Sequence, residues 1–271
     1  MSFQVHPGEP AVAQALALAS ELAREAGRIQ LEHLDAVERI EHKTARDVVT
    51  EVDHLCEAAI IRGIRSAYPD DGILAEESGA HPGTSRAGEP ARRWIVDPLD
   101  GTVNYANGLP LFCVSIALAV GDVPVIGVVY DPTRDELFSA VNGGGARCNG
   151  RSIRNPDKEL LSDCVLMVGP WRGGASESDA RVGSAIRAGR SMGVAALSLA
   201  YVATGRFDAY LQRDRLSIWD VAAAGLIAAE GGATVTTATG EPWFDPSRPS
   251  GSIGILAAPA RHHARLLELA G

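Results

Sequence analysis

The chain has 271 residues, 46% of them apolar and 22% charged, an ordinary balance for a soluble globular protein and enough length for one large domain or two closely packed halves. Its net charge of -9 argues against general nucleic-acid binding, which needs a basic face, but admits a small anionic substrate neutralised by something other than side-chain cations. No stretch approaches the ~18 uncharged apolar residues of a membrane span, and MSFQVHPGEP lacks the basic start and apolar core of a signal peptide, so no membrane contact and a cytoplasmic location are expected.

In chain order, AVAQALALASELAREAGRIQLEHL (11–34) carries an apolar stripe at 3.6-residue spacing and predicts a long amphipathic helix. A second helix is expected over 50–67, ending before Pro69. Strand-like pieces follow at GILA (72–75), WIV (94–96), FCVSIALAV (112–120), PVIGVVY (124–130) and ELFSAV (136–141), spaced as antiparallel hairpins. The Pro/Gly/Ser-rich segment 81–92 reads as a loop. GGGARCNGR (143–151) lacks the Lys-Ser/Thr ending of a phosphate-cradling loop and reads as a hairpin.

After about Asp157 the pattern alternates: strand 164–169, helices 179–188 and 194–204, strand 207–211, helix 219–232, strands 233–237 and 252–258, and a closing helix from Ala260. The organisation expected is an antiparallel-rich half, 1–156, joined to an alternating α/β half, 157–271. The four cysteines, Cys56, Cys113, Cys148 and Cys164, form no CxxC pair and no zinc spacing, and read as buried or idle thiols.

The segment WIVDPLDGTVNY (94–105) is the first with chemistry in it. Pro98 holds Asp97 extended and turns the chain out of its strand after Val96, so Asp97 and Asp100 can point into one space. Gly101 tolerates unusual backbone angles, and Thr102 with the next amides can open a helical turn facing an anion. Taken alone, a turn-forming Asp and a helix-capping Asp100 also account for the motif. Further acids stand at element ends: Glu76 and Glu77 after GILA, Asp53 in the first turn of the second helix, and Asp220 as a helix N-cap beside Trp219. If Glu76, Asp97, Asp100 and Asp220 converge, four negative charges require protons or cations, and oxygen-only ligands of this kind suit magnesium.

Five segments resemble the inositol monophosphatase family of magnesium-dependent, lithium-sensitive phosphatases: KTARDVVTEVD (43–53), AEES (75–78), WIVDPLDGTVNY (94–105), GRSMGVAALSLAYVATGRFDAY (189–210) and SIWDVAAAGLIAAEGG (217–232). The resemblance runs in order over about residues 10 to 265. It implies a layered αβαβα sandwich, with an antiparallel sheet in the first half and a mixed sheet in the second, assembled as a homodimer. It implies that Glu76, Asp97 and the Leu99 carbonyl bind a first Mg2+, and that Asp97, Asp100 and Asp220 bind a second. Asp53 and Thr102, with Glu76, become the catalytic residues that activate the attacking water. The Gly101 and Thr102 amides hold the phosphate, and Lys43 lies near it or near a third, weaker Mg2+. Gly193, Val194 and Ala195 line the same pocket. The activity implied is hydrolysis of a small polyol or sugar phosphate by direct attack of a metal-activated water, with inositol 1-phosphate the leading substrate. Histidinol phosphate, fructose 1,6-bisphosphate and adenosine 3′,5′-bisphosphate are the alternatives within the family.

Other mechanisms fit less well. Cys56 and Arg62 reproduce a Cys-x5-Arg spacing, but EAAII between them has no glycine and lies in an expected helix, where the N–H groups are already used. Asp97 and Asp100 are separated by two residues, not the one of covalent-aspartate phosphatases. A non-catalytic binding or regulatory protein on the same fold is the alternative of another class. In the polyol-recognition region DAYLQRDRLSIWD departs from the family: Gln212 and Arg213 stand where many inositol-specific members carry Glu, and one extra residue precedes Asp220. Gln212 and Arg213 are therefore candidate substrate contacts alongside Asp100 and Asp220, while Arg213 and Arg215 can equally form a solvated loop.

Overall fold

In the computed structural model the described residues are 8–34, 40–44, 47–84, 90–169 and 176–271. The first apolar stripe folds as helix α1 (Pro10–His33), with Pro10 in its first turn, where a missing N–H costs nothing. Its buried face carries Ala15, Ala19, Leu22, Ala23, Ala26 and one polar residue, Gln30. An antiparallel ribbon, β1 (Ile40–Thr44) and β2 (Asp47–Thr50), leads into α2 (Glu51–Ala67). Thr50 and Asp53 cap α2 reciprocally, which satisfies two of the N–H groups a helix start leaves free.

The next elements are β3 (Gly72–Ala75), β4 (Gly79–His81), β5 (Arg92–Asp100), the short helix α3 (Thr102–Ala106), β6 (Cys113–Val120), β7 (Val123–Asp131), β8 (Glu136–Val141), β9 (Gly145–Cys148) and β10 (Arg151–Ile153). The strands form one sheet in the order β10-β9-β8-β7-β6-β5-β3-β4. Every neighbouring pair is antiparallel except β3 and β5, which run parallel with Ala75 opposite Val96. That one parallel pair sets Glu76, just past the end of β3, beside Asp97 of β5.

The remainder comprises β11 (Val165–Val168), α4 (Glu177–Ala185), β12 (Ala188–Arg190), α5 (Ala195–Ala203), β13 (Ala209–Leu216), α6 (Ile218–Glu230), β14 (Ala233–Thr237), β15 (Ile253–Pro259) and α7 (Ala260–Ala270). The second sheet, β12-β11-β13-β15-β14, is parallel on its first two pairs and antiparallel on the last two. Helices α1 and α2 cover the outer face of the large sheet, α5 and α6 fill the space between sheets, and α4 and α7 cover the far face of the small one. The result is the expected layered αβαβα sandwich, with one apolar cluster around the central helices and on both facing sheets and a further cluster under each outer helix layer.

The central helices are built of small residues, and that lets the layers close. Along α6, Ala222, Ala223 and Ala224 are all fully buried. A Cβ placed on Gly127 of β7 would stand 2.5 Å from the Ala223 carbonyl oxygen, so glycine admits the helix backbone directly onto the strand.

Local readings need correction in several places. The chain does not leave its strand after Val96: β5 continues through Pro98 to Asp100, with a bulge against β6 between Asp97 and Asp100. Proline is tolerated there because a bulge needs no ladder N–H. The helix expected over 179–188 ends at Ala185, and Ala188 begins an edge strand. The strand expected at 207–211 runs instead from Ala209 to Leu216, with three residues of β13, 213–215, set against the one residue Gly254 of β15 between the pairs Gln212–Ile255 and Leu216–Ile253. Within this bulge Arg215 takes φ 72°. Segment 143–151 forms the expected hairpin of β9 and β10.

Candidate active site

The bulge in β5 turns Asp97 and Asp100 to the same side. Asp97 Oδ1 accepts from the Leu99 N–H at 3.0 Å, closing the turn around Pro98. On the other side of the turn, the Gln30 side chain of α1 donates through Nε2 to the Pro98 carbonyl at 2.8 Å. Gly101 follows with φ 98°, and a Cβ there would lie 2.8 Å from the Leu111 carbonyl, so this corner requires glycine. Helix α3 then starts at Thr102, and its Tyr105 hydroxyl donates to the Gln30 carbonyl at 2.7 Å.

Three carboxylates meet here: oxygens of Asp97, Asp100 and Asp220 lie within 4.8 Å of one another. Asp220 is the third residue-end of a capping arrangement, not the N-cap expected; its Oδ2 accepts from the Ser217 N–H at 2.6 Å at the start of α6. The Ser115 hydroxyl of β6 donates to the Trp219 carbonyl at 3.1 Å, which fastens that helix start to the large sheet. Asp100 Oδ2 accepts from the Ala196 N–H at 2.6 Å at the start of α5, and the Ala195 amide also hydrogen-bonds to this carboxylate. Asp100 therefore serves as the N-terminal cap that α5 lacks in its own sequence.

Glu76 is set by backbone. Its N–H donates to the Val96 carbonyl at 3.1 Å, and the following N–H groups of Glu77 and Ser78 donate to Glu57 Oε2 and Oε1 at 2.8 and 2.9 Å. Its charge is felt at both Asp97 and Asp100. Asp97 is held well above the usual carboxylate range, first by burial and then by Glu76, Asp100 and Asp220. Asp100 is pushed up to about 7, chiefly by burial, with its amide bonds acting the other way. Burial also raises the Cys113 thiol and the Tyr210 phenol beside the cluster.

Asp53 of α2 completes the centre. Its Oδ2 accepts from the Thr50 N–H and hydroxyl at 2.8 and 2.7 Å, and its Oδ1 accepts from the Thr102 hydroxyl at 3.1 Å. The same hydroxyl lies 3.0 Å from the Leu99 carbonyl oxygen. One hydroxyl hydrogen serves one of these acceptors at a time, so whatever engages the Leu99 carbonyl commits Thr102 to Asp53.

All of this opens into a cleft of about 1150 Å³ lined by Glu76, Asp97, Leu99, Asp100, Gly101, Thr102 and Asp220 on one side, with Gly193, Val194, Ala195, Gln212 and Arg213 further round. The donor set is oxygen only, and burial, with the neighbouring acids after it, raises the Asp97 and Asp100 carboxyls. Such a set fits hard divalent cations of the Mg2+ type.

Not every candidate arrives free. Gln212 accepts from the Tyr210 hydroxyl at 2.6 Å and donates to the Asp214 carbonyl at 2.9 Å. Arg213 is ion-paired with Asp179 of α4 and also donates to the Ala270 carbonyl at 3.3 Å, so it ties α4 and α7 to the second sheet instead of standing free in the cleft. The amides of Ala195 and Ala196 are already engaged by Asp100. Lys43 belongs to β1, and its side chain lies outside the described residues. Cys56 is buried in α2 and its thiol is raised by burial, the reverse of an activated thiolate.

Two residues that hold the site, Gln30 and Glu57, lie in none of its motifs. Both carried a signal: Gln30 is a polar residue on the apolar stripe of α1, and Glu57 falls one helical turn after Asp53 on the same face of α2.

The sequence matches the inositol monophosphatase family over residues 11–270. It is 39% identical over 230 residues to inositol monophosphatase 2 of Solanum lycopersicum, covering 82% of this chain and 87% of that one. It is 40% identical over 228 residues to the Nus factor SuhB of Pasteurella multocida, covering 81% and 84%. Among solved structures, the extragenic suppressor protein SuhB of Bartonella henselae superposes with a TM-score of 0.87 at 34% identity, over 95% of this chain and 98% of that one.

Proposed function

The chain belongs to the inositol monophosphatase family, and from that premise we propose that it is a Mg2+-dependent phosphomonoesterase of small polyol or sugar phosphates, with inositol 1-phosphate the leading substrate. The observation that carries this reading is the meeting of Asp97, Asp100 and Asp220 in one cleft with Thr102, whose hydroxyl donates to the buried Asp53 behind it.

In this reading Glu76, Asp97 and the Leu99 carbonyl would hold one Mg2+, and Asp97, Asp100 and Asp220 a second, with Lys43 near the phosphate or near a third, weaker ion. When bound, such ions lower the pKa of water and offset charge on the phosphoryl and leaving oxygens, a large demand for an ester whose enzymatic acceleration reaches ~10²¹-fold. The protein's own groups do the rest. The Gly101 and Thr102 amides hold the phosphate against the start of α3. Thr102 and Asp53 receive the proton of the attacking water: Asp53 Oδ1 is the acceptor, and its other oxygen is anchored by two bonds from Thr50. A water in the open cleft returns a proton to the leaving alkoxide. Gly193 and Val194 form the opposite wall.

Phosphate release from inositol 1-phosphate, histidinol phosphate, fructose 1,6-bisphosphate and adenosine 3′,5′-bisphosphate, each with and without Mg2+, tests the reading. Turnover that needs Mg2+ and vanishes in Asp97→Asn supports it; undiminished turnover in excess chelator overturns the mechanism. If inositol 1-phosphate is not among the substrates of highest kcat/KM, the leading substrate falls.

A binding or regulatory role is the second reading, and the name of the Pasteurella multocida relative, Nus factor SuhB, is the observation that favours it. Metal binding without turnover on any of the four esters would favour that role. The acidic chain supports neither nucleic acid nor a membrane as partner; a homodimer, lithium sensitivity and a cytoplasmic location complete the proposal. Among the described residues no helix is long and apolar enough to cross a membrane.

A further inference from the structure

Glu57 is a carboxylate with only 4% of its surface exposed, on the inner face of α2. A charge in such a place is costly unless hydrogen bonds replace its water. It is given two: the N–H groups of Glu77 and Ser78, one to each oxygen, at 2.8 and 2.9 Å. Those donors sit immediately after Glu76. The peptide before Glu76 is fixed separately, since the Glu76 N–H donates to the Val96 carbonyl at 3.1 Å. Both peptide planes flanking Glu76 are therefore pinned, one to β5 and one to Glu57, and with them the direction of its Cα–Cβ bond.

Helix α2 does this at two places. One turn before Glu57, Asp53 receives the Thr102 hydroxyl from the turn after β5; Glu57 receives the turn after β3. A single rigid helix thus indexes the turn after β3, which carries Glu76, to the residues just after β5, the strand whose last residues include Asp97 and Asp100.

We propose that Glu57 is a positioning residue for the metal centre: its carboxylate fixes the backbone at Glu77 and Ser78 so that Glu76 is aimed at the Asp97–Asp100–Asp220 cluster. The proposal rests on the reading of Glu76 as a Mg2+ ligand. Glu57 touches neither metal nor substrate, so its effect passes entirely through Glu76. The isosteric Glu57→Gln keeps the shape but turns an NH2 toward a backbone N–H, losing one of the two bonds and the charge that strengthens the other.

The test is Mg2+ binding by titration calorimetry on wild type, Glu57→Gln, Glu76→Gln and the double variant, with melting temperature in chelator and the Mg2+ dependence of phosphate release measured beside it. Glu57→Gln is expected to weaken Mg2+ binding about 10-fold, as loss of an outer support to a metal ligand does, and by more than it lowers kcat at saturating Mg2+. In the Glu76→Gln background it should weaken binding no further, because the group it positions is already gone. Should Glu57→Gln be unfolded in chelator, Glu57→Asp, which keeps the charge but falls one methylene short of both amides, is measured in its place. Unchanged Mg2+ affinity, or equal losses in both backgrounds, overturns the positioning role while leaving the phosphatase reading intact. Wild type that binds no Mg2+ overturns the phosphatase reading and this inference with it.

Discussion

The Thr102 hydroxyl donates to Asp53 Oδ1 at 3.1 Å across a sequence separation of 49 residues, joining the turn after β5 to the first turn of α2. Asp53 holds two offices at once, since its other oxygen caps α2 through Thr50. Thr102 has no such structural duty toward a helix start. Thr102→Ala should accordingly lower kcat by about 10²- to 10⁴-fold, the range for loss of a proton-transfer group, with little change in melting temperature. Asp53→Asn should lower both, costing about 1 kcal/mol of stability through the weakened cap. Steady-state kinetics and thermal melts on the two variants check the distinction; equal melting losses would deny it.

The acid cluster predicts that activity and apo stability oppose one another. Asp97 is buried among like charges, so Asp97→Asn removes repulsion from the metal-free protein. Its melting temperature in chelator should exceed that of wild type by a few degrees, at about 2–4 °C per kcal/mol for a chain of this size, while phosphate release is lost. A melting temperature below wild type in chelator would contradict the electrostatic account.

The same cluster sets a pH dependence. Folded-state pKa values of Asp97 and Asp100 lie above their unfolded values, Asp100 at about 7 against 3.8. The folded metal-free chain therefore binds more protons than the unfolded one between about pH 4 and 7, and this contribution to stability, full below the lower value, is lost as pH rises through the upper. His263, lowered by burial, acts in the opposite sense as pH falls, so the contribution is isolated by comparison with Asp97→Asn/Asp100→Asn. In chelator the wild type should lose more stability than that variant between pH 5 and 8, and saturating Mg2+ should remove the difference. Parallel denaturation profiles in chelator would count against it.

Packing makes a further prediction away from the acids. Gly127→Ala would bring a Cβ to 2.5 Å from the Ala223 carbonyl, and since the obstacle is helix backbone, α6 must shift bodily. Overpacking of this kind costs about 1–3 kcal/mol, read as a melting temperature lower by several degrees. Because α6 carries Asp220, Mg2+ affinity should weaken as well. A variant that melts and binds like wild type would show that α6 is not seated by this contact.

Arg213 predicts a negative result for substrate recognition. With its guanidinium on Asp179 and the Ala270 carbonyl, Arg213→Ala should leave KM for inositol 1-phosphate within about twofold and cost at most about 1 kcal/mol of stability, as partly exposed ion pairs do. A KM raised 10-fold or more would return Arg213 to the substrate.

Much of the fold was legible because it is written in local periodicity. The stripe of α1, the alanine-rich run of α6 and the strands β3, β8 and β14 stand where alternation and spacing put them. What periodicity misses are elements defined by a partner: β4 and β12 are three residues each and exist as strands only because β3 and β11 lie beside them. The bulge in β5 was read as a turn for the same reason, since Pro98 breaks a local pattern while the ladder with β6 resumes at Asp100.

Local sequence supplies the residue types of the site: paired acids around a Pro-Gly corner, an acid at each of several element ends, and a hydroxyl at Thr102. It can do so because turns and caps are local, decided within a few residues by backbone sterics and free N–H groups. Packing of the layers sets the rest: β3 and β5 run parallel, Asp100 caps α5, Arg213 pairs with Asp179, and Gln30 and Glu57 bond to the backbone at Pro98 and at Glu77 and Ser78. Those facts depend on contacts between distant segments, which are chosen by how the layers pack and leave no periodic trace in either partner alone.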